Sequence, residues 1–399
     1  MNKSWKSNYI AILIAETMAI AGFALSMPVI PLFLTDDIGI TDPVKLKIWV
    51  GAIQSLSAVT LAIFAPIWGH LADVFSRRMM LLRAMFGGAI VVSLMTFVQE
   101  PWQLLVLRTI QGSLTGTVAA ATVMTAGIAP AAQIALALGL LQTGVAVGNS
   151  IGPLIGGVIS DFLGHRIAFL STGLVLAGAG VIVLKGVDDD SSTHHHKKGE
   201  LFRFLPDIKP VLESPMLISL MITTFVIQAA NTIAGPMLPL FLKELAADSK
   251  YIGSSTGIVL GVGAGAAAVS AVLVGKYSSR FGYWKTLAFC LTAGAILTVP
   301  QAFVSNMTQL ALFRALSSFF IGGSIPVLNA ILAVSTEKDH QGSVYGFNSS
   351  VASAGGALGP MIGSMVAMIN YRMVFIATAI LLGLSAYGTI KRSKRLKQE

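Results

Sequence analysis

Charge is what this sequence has least of. Only 11% of its 399 residues are Asp, Glu, Lys or Arg, against 54% that are hydrophobic. A soluble protein carries charge at about a quarter of its positions, so too little polar surface exists here to cover a water-soluble globule. Cysteine is nearly absent. Cys290 stands alone inside an apolar segment, which excludes an intrachain disulfide and leaves a small packing residue. Also missing is a glycine-rich loop ending in Lys-Ser or Lys-Thr, the cradle for nucleotide phosphates. No nucleophile setting and no convincing metal cluster can be found, so neither an enzyme, a cofactor nor a metal is expected. His194, His195 and His196 are adjacent but have no second ligand group, and read as polar linker. No cleavable leader fits either, because the first apolar stretch is long and lacks a small-residue cleavage pattern.

What the chain does have is apolar length. Twelve stretches reach the roughly 20 residues needed to cross a bilayer as helices, near 9–34, 47–70, 79–98, 102–127, 133–160, 166–186, 214–242, 251–276, 284–304, 308–334, 342–369 and 371–390. Lipid offers backbone amides no partner, so these spans are expected to be helical. The net charge of +9 would suit nucleic acid, but its placement argues against that partner. With the N-terminus inside, inner segments hold 19 of the 27 Lys and Arg and outer segments six, while Arg108 and Arg314 fall within spans. The positive-inside rule then puts both termini in the cytoplasm.

The second half rewrites the first. Pro28 and Pro31 return as Pro236 and Pro239, 208 positions on; Gln103, Leu104 and Arg108 return as Gln309, Leu310 and Arg314 at 206. Gly152-Pro153 matches Gly359-Pro360 at 207, and Arg166 and Phe169 match Arg372 and Phe375 at 206. A duplicated unit of about 200 residues in so apolar a chain is the pattern of a two-fold membrane transporter. The expected domains are a six-helix bundle over 1–186, a cytoplasmic linker over 187–213, and a second bundle with a basic tail over 214–399.

Few residues inside the spans carry chemistry. Glu16 is the one acidic side chain well within a span; Asp73, Asp161 and Glu213 lie at ends. Low dielectric favours a neutral carboxyl group, the property of a reversible proton carrier, and the ionised form would attract a cation. Arg108 is costly in a bilayer and should face the bundle interior. At 1.5 Å per residue Glu16 lies about 10 Å from the inner surface and Arg108 about 9 Å from the outer, so no direct salt bridge between them is expected. In GHLADVFSRR, Gly69 permits close helix approach, while Asp73, Arg77 and Arg78 form a charged cluster on the inner side, able to hold and release the two halves. In GNSIGPLIGG, Gly148, Gly152, Gly156 and Gly157 strip side chains from a helix and Pro153 bends it. The paired prolines suit bends near the outer mouth. Gln54, Gln111, Gln142, Gln228, Asn231, Asn329 and Asn348 are candidates to line a cavity or to join helices.

These segments carry a family resemblance over nearly the whole chain. GHLADVFSRR is similar to motif A of the major facilitator superfamily, with Val74 for the usual Arg and Ser76 for the usual Gly. LRTIQG resembles motif B, whose Arg, here Arg108, the family ties to proton movement. GNSIGPLIGG resembles motif C, the mark of twelve-span drug:proton antiporters. The second half lacks motif A's charges, with Ser279 in place of Asp73 and Tyr283-Trp284 in place of Arg77-Arg78.

The resemblance implies an all-α membrane protein with the major facilitator fold, twelve transmembrane helices in two pseudo-symmetric six-helix bundles. It implies a monomer in the bacterial inner membrane, surrounded by lipid, that exports lipophilic and cationic compounds in exchange for protons. Glu16 and Arg108 would form the coupling site; Gly69, Asp73, Arg77 and Arg78 the inner gate. The alternatives are a proton-coupled carrier of one sugar, peptide or lipid, and, from another class, a non-transporting receptor or scaffold.

Overall fold

The computed structural model describes residues 5–74, 76–130, 133–188, 209–246, 250–336 and 341–395. Among these every regular element is helical. The three histidines and most of the central linker lie outside the described residues. Twelve helical segments are long and apolar enough to cross a membrane, and they coincide with the twelve expected stretches. Large apolar side chains such as Ile90, Leu174, Phe289 and Leu384 are more than 60% exposed, as lipid-facing positions are.

Two spans that read as continuous in the sequence are interrupted at the repeated prolines. Span 1 is α1 (Trp5–Leu25) followed by α2 (Val29–Asp36). Span 7 is α10 (Pro215–Ile233), a 3₁₀ turn, and α11 (Leu238–Leu245). Proline contributes no N–H and clashes with the preceding turn, so a break at each pair is the direct consequence. Span 2 is α3 (Pro43–Val74), span 3 α4 (Arg77–Leu94), and span 4 the pair α5 (Pro101–Leu114) and α6 (Thr117–Ile128). Spans 5 and 6 are α7 (Ile134–Leu163) and α8 (His165–Gly186), joined at Gly164 with φ of +92°. After the short α9 (Lys209–Glu213) and span 7 come α12 (Ile252–Phe281), α13 (Tyr283–Thr298), α14 (Met307–Ser335), α15 (Gln341–Ala367) and α16 (Tyr371–Arg395).

The chain divides into two compact units. One comprises Met1–Thr41, Leu56–Glu200 and Lys250–Gly261; the other Asp42–Ser55, Leu201–Ser249 and Val262–Glu399. In the first, α1 packs on α7 and α8, and α4 on α8. In the second, α10 packs on α15, and α13 on α14 and α16.

The repeated residues do the same work in each unit. Gln103 Oε1 accepts from the Gln99 N–H at 2.9 Å, and Gln309 Oε1 from the Ser305 N–H at 2.9 Å, each closing the turn ahead of its helix. Arg166 donates to the Thr96 carbonyl at 2.6 Å, and Arg372 to the Ala302 carbonyl at 2.9 Å. Each Arg also lies over a buried ring, Phe33 at 5.3 Å or Phe241 at 6.0 Å. Those rings meet Phe169 and Phe375 edge to face at 5.2 and 5.4 Å, a geometry worth about 0.5–1.5 kcal/mol beyond burial.

Candidate functional site

The site begins with a break in span 4. Its sequence Leu114-Thr115-Gly116-Thr117 reads as mid-helix, yet Gly116 has φ of +121°, a conformation that a side chain would oppose. Thr115 is extended, its N–H reaches the Gln111 carbonyl at 3.0 Å, and its hydroxyl donates to the Gly112 carbonyl at 3.1 Å. Both bonds end α5. The chain restarts as α6 at Thr117, and the opening turn of a helix carries N–H groups without intrahelical partners and a partial positive charge.

Glu16 meets that opening turn. The Thr117 hydroxyl donates to Glu16 Oε1 at 2.8 Å; Glu16 is fully buried and Thr117 is 2% exposed. Oε2 has no hydrogen-bond partner among the described residues. An unmade bond at a buried carboxyl oxygen is costly. Thr117 was not singled out from the sequence. The signal was there in Thr-Gly-Thr, a helix stop followed by a helix start within an apolar run.

Arg108 forms a second polar centre. It is 6% exposed on α5, with Nη1 donating to Gln111 Oε1 at 3.0 Å and Nη2 to Ser26 Oγ at 3.1 Å. Gln111 lies three residues on, on the same helix face. Ser26 lies in the break between α1 and α2, so the proline-driven interruption places Arg108's acceptor. No carboxylate ion-pairs with Arg108 among the described residues, and Glu16 does not reach it. Ten residues of chain separate Glu16 from Ser26, about 15 Å along a helix.

The glycine-rich face of α7 holds α1 close to this ladder. A Cβ on Gly148 would stand 2.8 Å from the Thr17 carbonyl oxygen, and on Gly152 or Gly156 it would collide with the carbonyls of Ala21 or Leu25. Pro153 lies inside the same helix. Gly157 turns instead toward the start of α12, where a Cβ would meet the Gly253 carbonyl. One turn further on, Asp161 accepts from the N–H groups of Gly253 at 2.8 Å and Ser254 at 2.7 Å. A carboxylate on a helix N-terminus is a stabilising pair, and sequence reading had treated Asp161 only as a span end.

The remaining candidates divide. Asn348 accepts from the Thr224 hydroxyl at 2.6 Å in a buried pair. Asn329 is half-buried and its carbonyl accepts from the Tyr345 hydroxyl at 2.8 Å. Gln54 and Gln228 are half-buried, Gln142 and Asn231 exposed, and none of the four makes a side-chain hydrogen bond with a described residue. Arg78 donates to the Leu184 carbonyl in the last turn of α8 at 2.5 Å, where the helix dipole favours a cation. Arg83 stacks over Trp68, 3.4 Å from the ring centroid. The Arg77 guanidinium lies beside Gly127. Nothing is described of the Gly69 and Asp73 side-chain environments.

Comparison with known proteins places this chain among transporters. The curated relatives include the multidrug resistance protein MdtG of Proteus mirabilis, 33% identical over 383 residues, covering 95% of this chain and 94% of that protein. MdtG of Enterobacter lignolyticus is 34% identical over 388 residues, covering 97% and 92%. Among solved structures, a bacterial homologue of the human lysosomal transporter Spinster superposes with a TM-score of 0.81 at 15% identity, covering 99% of this chain and 98% of that one. The nucleoside transporter NupG gives 0.77 at 13% identity, covering 96% and 98%. At those identities the likeness concerns the fold. The Major Facilitator Superfamily model matches residues 12–307 and 220–398, and with relatives a third identical over nearly their full length, this chain belongs to the major facilitator superfamily.

Proposed function

We propose that this chain exports lipophilic, cationic compounds in exchange for protons, and that Glu16 is the group at which the two compete. The observation that carries the reading is a fully buried carboxyl group with one oxygen held by Thr117 and the other without a partner. Ionised, such a group binds a cation in a site where water does not compensate the charge. Protonated, it releases that cation. The relatives named as multidrug resistance proteins support export of drugs.

Arg108, anchored by Gln111 and Ser26, supplies fixed positive charge at the other level of the ladder and favours ionisation of Glu16 when water joins them. The close α1–α7 contact at Gly148, Gly152 and Gly156 transmits movement of one helix to the other, with Pro153 as the bend. Asp73 and Arg77 act at the inner gate, while Arg78 braces α4 against α8. The polar side chains without described partners, Gln54, Gln142, Gln228 and Asn231, serve as cavity lining. The two six-helix halves alternate access around the site. The distribution of Lys and Arg supports both termini in the cytoplasm with the linker over 187–213 on that side, and the likeness to bacterial relatives supports a place in the bacterial inner membrane. A monomer suffices for this cycle.

The test is exchange in proteoliposomes. With the lumen made acidic, tetraphenylphosphonium added outside should accumulate and should dissipate the pH gradient only when protein is present. If neither it nor other lipophilic compounds move protons, the multidrug reading fails and a dedicated solute takes its place.

A further inference from the structure

Away from the polar ladder, a groove of about 540 Å³ lies among α12, α13 and α14 of the second unit. Its lining changes character along its length. Leu273, Phe289 and Phe320 form an apolar stretch, with the Phe289 and Phe320 rings edge to face at 5.6 Å. Leu273 and Phe289 are 44% and 63% exposed, on helices long and apolar enough to cross a bilayer. The other end carries Tyr277, Thr286 and Lys285. Lys276 Nζ and Arg280 Cζ flank Tyr277, 5.5 and 5.7 Å from its ring centroid.

One cation, Lys285, therefore lines the groove where it turns polar, and Lys276 and Arg280 stand beside the Tyr277 ring that lines it with Lys285. None of Lys276, Arg280 and Lys285 makes an ion pair or a side-chain hydrogen bond with a described residue. Lys285 stands in the opening turn of α13, where the helix dipole disfavours a cation, so its charge does not serve the helix. A membrane supplies one molecule with the complementary shape and charge, an acyl chain joined to an anionic headgroup. We propose that this groove binds an anionic phospholipid. The acyl chain lies along Leu273, Phe289 and Phe320, and the phosphate lies among Lys276, Arg280 and Lys285.

The test is native mass spectrometry of the full chain in detergent, titrated in parallel with phosphatidylglycerol and phosphatidylcholine of the same acyl composition. One phosphatidylglycerol should be retained at least about tenfold more tightly than phosphatidylcholine, the size expected of several cations near a headgroup. The variant K276Q/R280Q/K285Q should lose that preference, and the charge-preserving K276R/R280K/K285R should keep it. Phe289→Ala should weaken both lipids several-fold. Equal retention of the two lipids by the wild type would overturn the proposal, as would a preference that survives removal of the three charges. Displacement of the lipid by sodium phosphate at equal concentration would show a phosphate site instead. A Phe289→Ala protein that retains lipid unchanged would show that the groove holds no acyl chain.

Discussion

At the scale of single residues, the candidate site is held by hydroxyl groups as much as by charges. Glu16 and Arg108 stood out in the sequence because an ionisable group in an apolar run is costly and therefore rare. Of their partners Gln111 did as well, but Thr117 and Ser26 did not, because they are ordinary residues in a membrane helix until folding brings them within reach. Thr117→Val keeps the shape and removes the bond to Glu16. Hydrogen bonds to charged groups contribute about 1.5–3 kcal/mol, so transport by Thr117→Val should fall at least about tenfold, measured as initial rate in proteoliposomes. Thr117→Ser should retain most of it. If Val and Ser behave alike, the hydroxyl has no part in the site. Asp161 teaches the same lesson. Its two bonds to backbone N–H groups at the start of α12 join positions about 92 residues apart, and no local pattern announces such a pair.

At the scale of elements, the twelve helices were readable because span length and hydropathy are set by bilayer thickness. Their breaks were less so. The proline pairs at 28 and 31 and at 236 and 239 carry their own signal, whereas the interruption of span 4 depends on one glycine with φ of +121°. Gly116→Ala should be strained in that conformation and should shift α6 away from Glu16, lowering transport more than stability. The α1–α7 contact is a packing matter. Gly152→Leu forces a side chain against the Ala21 carbonyl, and overpacking of this kind costs about 1–3 kcal/mol. Its melting temperature in detergent should drop, while Gly139→Leu, where a Cβ would meet nothing within 4 Å, should leave it nearly unchanged. Equal effects at the two positions would mean that the glycine face is not what seats α7 on α1.

At the scale of the whole molecule, duplication separates what the two halves share from what they do not. The shared part is structural: the Gln103 and Gln309 turns, the Arg166 and Arg372 braces, and the ring pairs Phe33–Phe169 and Phe241–Phe375. The Gln, Arg and Phe169–Phe375 matches were visible in the sequence as repeats, and their meaning became clear only as matched contacts. Phe33→Ala and Phe241→Ala should each destabilise by about 3–5 kcal/mol, with similar losses of melting temperature. A large difference between them would mean that the halves are not braced alike. The unshared part is the site. At the 208-residue offset from Glu16 stands Thr224, which bonds Asn348 in a neutral buried pair. One half thus carries a titratable group where the other carries neutral hydrogen bonds, and under the proposed function a single carboxyl would set the coupling.

That claim is tested most directly by proton release on substrate binding. Tetraphenylphosphonium is added to purified protein in weakly buffered detergent solution, and the pH change is followed alongside binding. The wild type should release close to one proton for each cation bound, and Glu16→Gln should release none. Release by Glu16→Gln equal to that of the wild type would place the exchanging proton on another group and contradict the account.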